Sequence, residues 1–240
     1  MWAIALVMGC GGGASVPKAP SLALSELHDP STLSRGALLA TVRAPTGIIK
    51  QELSIGIVDL ASGKGFEGRG VVMVKPREAL RMILLGPGGT TAMDVWIVAG
   101  RFRVAIPALD RVVRGDASTP REKMRGLPVD LLWRWLVDPF GGTIVTARKT
   151  DGGVLGFLKR GPTSFEIRAR RGDGTEGWFF ERGKLIGYAH GREEAIGDSI
   201  FPVDVDYTGL DPAMKVHVKG TGATIVSEVS PKVFADPDTT

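Results

Sequence analysis

The sequence predicts a mainly β protein, an antiparallel meander in a barrel or sandwich with one central apolar helix set into it. Three observations carry this. Several segments alternate strictly between apolar and charged residues, turn signals recur at roughly 8–12-residue spacing, and one stretch of helical periodicity is bounded by prolines. With 240 residues, 43% of them hydrophobic, the chain can bury a sizeable core as a single domain. Its 33 glycines and 15 prolines are those of a chain that often reverses direction.

At the N-terminus, Trp2 to Met8 (WAIALVM) is apolar. It is too short to span a bilayer as a helix, which takes about 20 residues, and looks like the core of a signal peptide. Gly9 and the only cysteine, Cys10, follow, and then a glycine- and proline-rich run from Gly11 to Pro20 (GGGASVPKAP). Leu6 to Cys10 (LVMGC) resembles the bacterial lipobox, in which cleavage before a cysteine leaves a thiol to be lipidated. The chemistry needs a thiol at the new N-terminus and a small residue before it, and both are present. The competing reading is an incidental cysteine. No Lys or Arg precedes the apolar core, so the start is expected to lie inside a longer signal peptide. By resemblance to known sorting rules, Gly11 rather than Asp after the cysteine points to an anchor in the outer membrane, with the domain in the periplasm. The expected organisation is a signal-peptide remnant (1–9), a lipidated Cys10 with a flexible tether (10–20), one β domain (21–234) and a tail (235–240).

Ser21 to Gly36 has leucines at 22, 24 and 27, compatible with a short helix or an extended arm. Strand signals become dense from Ala37. In Arg101 to Ile106 (RFRVAI), Phe102, Val104 and Ile106 share one face and Arg101 and Arg103 the other, the pattern of a half-buried strand whose second face meets solvent. Ser164 to Arg170 sets Phe165, Ile167 and Ala169 against Glu166, Arg168 and Arg170. Met214 to Lys219 sets Met214, Val216 and Val218 against Lys215, His217 and Lys219. Turns are expected at Ser62–Gly65, Ala99-Gly100, Gly172–Gly174, Arg182-Gly183 and Gly220–Gly222, where glycine supplies positive φ.

Leu127 to Phe140 (LPVDLLWRWLVDPF) reads as a helix opened by Pro128 and ended by Pro139. Val129, Leu132, Trp133, Leu136 and Val137 form a stripe, but Leu131 and Trp135 lie off it, so the helix is apolar nearly all round. It must be covered on more than one side. It is either an ordinary core helix or one that lines a ligand cavity; a membrane-surface helix needs a wider polar face.

The net charge of +4 comes from Lys and Arg interleaved with Asp and Glu, read as a solvated surface. No nucleic-acid motif accompanies it. His28, His190 and His217 stand apart without metal-ligand spacing. No nucleophile elbow or Ser-x-x-Lys motif occurs in a catalytic context, and Gly86, Gly88 and Gly89 lack the Gly-Lys-Ser/Thr of a phosphate loop. Asp204 and Asp206 share a strand face that is read as solvated. No cofactor is implied and no enzyme is expected.

The stretch Gly68 to Gly115 has a glycine-led strand with Gly70, a Lys75-Pro76 turn, a strand opening Leu80-Arg81, a Gly86-Pro87-Gly88-Gly89 corner and a hairpin at Ala99-Gly100. It resembles the lipoprotein-localisation superfamily, the LolA/LolB-like carriers and their envelope relatives. The helix with Trp133 and Trp135, then Pro139-Phe140-Gly141-Gly142, fits too, and Val229 to Phe234 (VSPKVF) looks like the last strand leaving the sheet. The resemblance implies a curved antiparallel sheet forming an unclosed half barrel, with helices on its concave face and an apolar cavity that accepts acyl chains of lipids or lipoproteins. Candidate lipid-contacting residues are Met82, Leu84, Trp96, Val98, Leu132, Trp133, Leu136, Phe157, Phe165, Trp178 and Phe180, each equally suited to a plain core role. The expected function is a lipid-anchored envelope protein that binds or accepts acyl chains. The alternative is a structural or assembly lipoprotein with a filled interior and a surface for an envelope protein partner.

Overall fold

The computed structural model describes residues 15–21 and 45–238, except 117, 120–122, 125, 126, 140 and 173. Cys10, the leader and all but the first residue of the expected 21–36 helix or arm therefore lie outside the described residues.

Among the described residues, thirteen strands form one antiparallel sheet. They are β1 (Ile48–Asp59), β2 (Gly65–Lys75), β3 (Ala79–Leu85), β4 (Thr91–Val98), β5 (Arg101–Ile106), β6 (Arg111–Asp116), β7 (Thr143–Thr150), β8 (Gly153–Lys159), β9 (Ser164–Arg171), β10 (Gly174–Glu181), β11 (Lys184–Ile196), β12 (Ser199–Leu210) and β13 (Ala213–Val226). The order across the sheet is β6-β5-β4-β3-β2-β1-β13-β12-β11-β10-β9-β8-β7. Two meanders thus meet where β1 pairs with β13, and the sheet does not close.

This order has a topological consequence. The two edge strands, β6 and β7, are consecutive in the chain, so the segment 117–142 must travel from one edge of the sheet to the other. It carries the helix, α1, which begins as an α-turn over Val129–Leu132 and continues as a π-turn over Trp133–Val137. The helix touches β2, β3 and β12, and its Arg134 carbonyl accepts a hydrogen bond from Arg168 on β9. One short helix meets both halves of the sheet because the sheet curves around it. The unclosed half barrel implied by the resemblance is the observed architecture, and the expected helix is present between its two prolines.

The inner, concave face is largely apolar from β1 to β5 and from β11 to β13, with Gln51 of β1 a buried polar exception. Ile49, Leu53 and Ile55 of β1, Met82 and Leu84 of β3, Val95 and Ile97 of β4, and Val216 and Val218 of β13 form one buried cluster with the helix. The alternation in β5 and β13 is as expected: Phe102 and Val104 face inward, and so do Met214, Val216 and Val218. Ala99-Gly100 and Arg182-Gly183, both residues of each pair at positive φ, make the hairpin turns the sequence marks.

Two local expectations fail. Gly220–Gly222 lies inside β13 rather than in a turn. It sits where the register with β1 shifts between Lys50 and Glu52, and Gly222 supplies the positive φ of a bulge. Val229 to Phe234 is not a strand, because Pro231 lacks an N–H and the Ser230 side chain accepts from the Lys232 N–H, closing a 3₁₀ turn over Pro231–Val233.

Two strand glycines separate close packing from open space. A Cβ on Gly70 would lie 1.8 Å from the Ile83 carbonyl oxygen of the neighbouring strand, whereas one on Gly56 would meet nothing within 4 Å. Gly70→Ala is expected to cost at least the ~1–3 kcal/mol of an overpacked site, with Gly56→Ala close to neutral. Urea denaturation midpoints of the two variants check this, and equal midpoints would contradict the close approach of β2 to β3.

Candidate functional site

The inner face changes character under the C-terminal end of α1. A helix leaves its last carbonyls without intrahelical partners, and buried carbonyls need donors. Here the donors come from the sheet. Arg160, in the β8–β9 turn, donates to the Pro139 carbonyl at 3.0 Å and to that of Asp138 at 3.4 Å. Arg168 donates to the Arg134 carbonyl at 3.1 Å, and the Arg77 N–H of the β2–β3 turn donates to Val137 O at 2.7 Å.

Two guanidiniums held this far from water require a counter-charge, and Glu166 of β9 supplies it. Its side chain is fully buried. One oxygen accepts from Arg160 Nε at 2.6 Å and the other from Arg168 Nε at 2.7 Å. Arg134 adds a third positive charge to the group. Burial alone pushes the Glu166 carboxyl up, but Arg168, Arg160 and Arg134 together outweigh it and hold it below the ordinary glutamate value. Burial pulls the Arg160 guanidinium down, partly offset by Glu166. The same arginines pack against rings: Arg168 lies 4.8 Å from the centre of Trp135, and Arg134 lies 5.6 Å from that of Phe179. Trp135 in turn lies against Gly191 of β11, where a Cβ would fall 2.8 Å from its ring.

This corrects the expectation for β9. Glu166, Arg168 and Arg170 do not face solvent. They face inward beneath the helix, and Arg170 pairs with Glu193 at 2.8 Å. Phe165, Ile167 and Ala169 lie on the outer face.

The eleven candidate residues separate accordingly. Met82, Leu84, Leu132 and Leu136 are buried together on the inner face, with Trp133 packed at the edge of the same cluster. The other six lie on the outer face. Trp96 is buried there and donates its indole N–H to the Phe234 carbonyl at 2.8 Å, and Val98 is next on that face. Trp178 centres a second cluster with Leu155, Ile167 and Ala169, flanked by Phe157, Phe180, Leu185 and Tyr188; Phe165 stacks on Phe157 at 5.4 Å. Sequence reasoning missed Phe179 and Phe201, the aromatic residues of β10 and β12 buried on the inner face. It also missed the Glu166–arginine group, for which the Glu-x-Arg-x-Arg spacing of β9 was the available signal.

Both chain ends described here lie on the outer face. The C-terminal tail is strapped over β4–β6 by the Trp96 bond and by Asp236 and Asp238 against Arg103 and Arg114. The N-terminal segment reaches β10, where the Pro17 carbonyl accepts from Trp178 Nε1 at 3.0 Å. Asp204 and Asp206 point outward and pair with Arg192 and His217.

A groove of about 940 Å³ crosses the outer face of β1, β2 and β13, with Glu52, Glu67, Arg69 and Lys219 on its walls. Both signs of charge line it and no set of groups converges. A smaller recess of about 170 Å³ opens at the turn end of the inner face, between Ile57, Phe66 and Met214.

No protein-family model matches the sequence, and no curated protein sequence matches it. Solved structures do match the fold. A LolA superfamily protein from Nitrosomonas europaea aligns with a TM-score of 0.54 at 11% identity, covering 85% of this chain and 97% of the other. The fold is LolA-like. A Vibrio parahaemolyticus domain provisionally assigned as an outer membrane lipoprotein-sorting protein gives 0.54 at 12% identity, covering 82% and 93%. A DUF1329 family protein from Desulfovibrio piger gives 0.52 at 13%, covering 81% and 91%. The LolA-like sheet therefore extends over most of the chain.

Because the folded Glu166 carboxyl keeps its charge to lower pH than an unfolded one, its stabilisation is fully present above the unfolded value of 4.5. It is lost as pH falls through the depressed folded value. Glu166→Gln removes the carboxylate that bonds the buried Arg160 and Arg168 guanidiniums, and is expected to cost about 3–5 kcal/mol at neutral pH and to flatten the acid limb of the stability profile. Urea titrations between pH 3 and 7 test both; a wild-type-like acid limb in the variant would contradict this role for Glu166.

Proposed function

We propose that this LolA-like protein is an envelope lipoprotein, anchored through Cys10, that binds or accepts acyl chains of lipids or lipoproteins on the concave face of its sheet. We read it as a binding protein rather than an enzyme. The observation that carries the proposal is the largely apolar concave face that runs from β1 to β5 and from β11 to β13, with a recess at its open end lined by Ile57, Phe66 and Met214 and bordered by Asp59 and Lys64. Solved structures with this fold, one of them a domain named for lipoprotein sorting, support it in the same direction.

At about 170 Å³ the recess is smaller than the roughly 300–1,000 Å³ of ordinary ligand sites. An acyl chain of full length therefore enters only as α1 moves, and Met82, Leu84, Leu132, Trp133 and Leu136 are the residues such a chain would meet. Outer-membrane anchoring with the domain in the periplasm is the localisation that goes with this reading.

A second reading has its own observation. Leu131, Leu132, Trp135, Leu136 and Val137 are each 5% exposed or less, so the helix itself fills much of the concave face. A structural or assembly lipoprotein that meets an envelope protein partner by its outer surface would have such an interior.

Uptake separates the two. Mass spectrometry of organic extracts of the purified domain is expected to recover co-purifying lipid, and the delipidated domain is expected to take up a fluorescent fatty acid in a saturable manner. Recovery of no lipid together with no uptake would reject carriage in favour of the structural reading. For the anchor, Cys10→Ser is expected to move the protein from the membrane to the soluble fraction, and unchanged membrane retention would sink it.

A further inference from the structure

The outer face of β8–β11 carries a cluster that neither the inner-face site nor the helix uses. Trp178, Leu155, Ile167 and Ala169 are buried there. Around them Phe157, Phe165, Phe180, Leu185 and Tyr188 are half-buried. Aromatic residues with one wet edge suit a boundary between apolar and aqueous phases. The rim is basic, with Lys159, Arg171 and Arg182 exposed. On the same face the carboxylate of Glu176 accepts from the Tyr188 hydroxyl at 2.6 Å.

The N-terminal segment ends its approach on this cluster. The Pro17 carbonyl is tied to Trp178 Nε1 and Ala19 packs on the same apolar patch. Seven peptide steps separate Cys10 from Pro17 in the sequence, and a chain of that length reaches at most about 25 Å. A lipid held by Cys10 therefore lies within about 25 Å of Pro17, which at a strand spacing of about 4.8 Å is roughly five strands of the sheet.

We propose that the outer face of β8–β11 is the membrane-docking face of the anchored domain, setting its half-buried aromatic residues and basic rim against a lipid surface that contains anionic headgroups. The proposal rests on Cys10 being the anchor. The short tether sets which side turns to the membrane, the aromatic cluster supplies the interfacial contact, and the basic rim favours anionic lipid.

Site-specific quenching tests this on the full lipidated chain. An environment-sensitive fluorophore is attached by maleimide to His190→Cys, exposed on the outer face of β11, or to Val112→Cys on β6, eight strands away in the sheet order. Each labelled protein is placed in vesicles of phosphatidylcholine and phosphatidylglycerol that contain spin-labelled lipid. The label at position 190 is expected to lose most of its fluorescence and the label at 112 to keep it, with a smaller loss at 190 when phosphatidylglycerol is omitted. Membrane-bound protein quenched equally at both positions, at 112 alone, or at neither overturns the face assignment. Failure of the anchor looks different: the chain is then found in the soluble fraction and Cys10 itself reacts with the maleimide, which overturns the anchor and the docking face with it.

Discussion

The structure depends on one constraint, that a connector must cross the open mouth of the sheet and end there with its backbone satisfied. Since β6 and β7 are both edge strands and follow one another in the chain, segment 117–142 has no path along the sheet. The apolar side chains of α1 settle its middle on the concave face, but apolar packing does nothing for the carbonyls at its end. Arg160 and Arg168 supply the donors. Glu166 then does two jobs with its two oxygens: it neutralises the arginines and fixes the direction in which each points. The result is a polar fastening at one end of an otherwise apolar plug, with charge-assisted bonds about twice as strong as neutral ones.

Much of this architecture was legible in the sequence. The hairpins at Ala99-Gly100 and Arg182-Gly183, the strands around Phe102 and Val216, and the helix between Pro128 and Pro139 follow from periodicity and turn chemistry alone. What alternation cannot supply is which of a strand's two faces looks inward. For β5 and β13 the apolar face is the inner one and the default succeeds. For β9 it fails, because the inner face at that place meets the end of a helix and must offer charge, while the apolar side of β9 is covered from outside. The same ambiguity explains why the candidate aromatic residues divide. Trp96 and Trp178 are large and buried, as lipid-lining residues would be, yet each is buried against the chain's own terminal segment.

Those two tryptophans show a shared device. On one flank of the sheet Trp96 donates its indole N–H to Phe234 O, and on the other Trp178 donates to Pro17 O. Each ring presents apolar area to the sheet and a single donor to a passing main chain, which suits tryptophan better than any other side chain. An irregular segment thereby gains a fixed place without joining the β ladder. The tail adds Asp236 and Asp238 against Arg103 and Arg114, and the carboxyls are held below the usual aspartate range first by their Arg114 bonds. The division of labour is then between an inner face that is apolar and plugged and an outer face that is strapped at both ends.

Acyl binding and a well-filled concave face are compatible once the energies are compared by kind. Moving an alkyl chain from water to an apolar site gains about 0.8 kcal/mol per methylene, but a chain delivered from a membrane or a lipoprotein leaves one apolar setting for another, and that gain is largely absent. Displacing Leu132 and Leu136 by acyl methylenes is likewise an exchange of apolar partners. The terms that do not cancel are the polar ones at the helix end, the bonds from Arg160 and Arg168 to its carbonyls, at about 1.5–3 kcal/mol each for charged donors. On the proposed function, the occupancy of the concave face is therefore set less by how apolar the ligand is than by the few hydrogen bonds that Glu166 holds in place. A carrier that must release what it accepts needs a balance of that size.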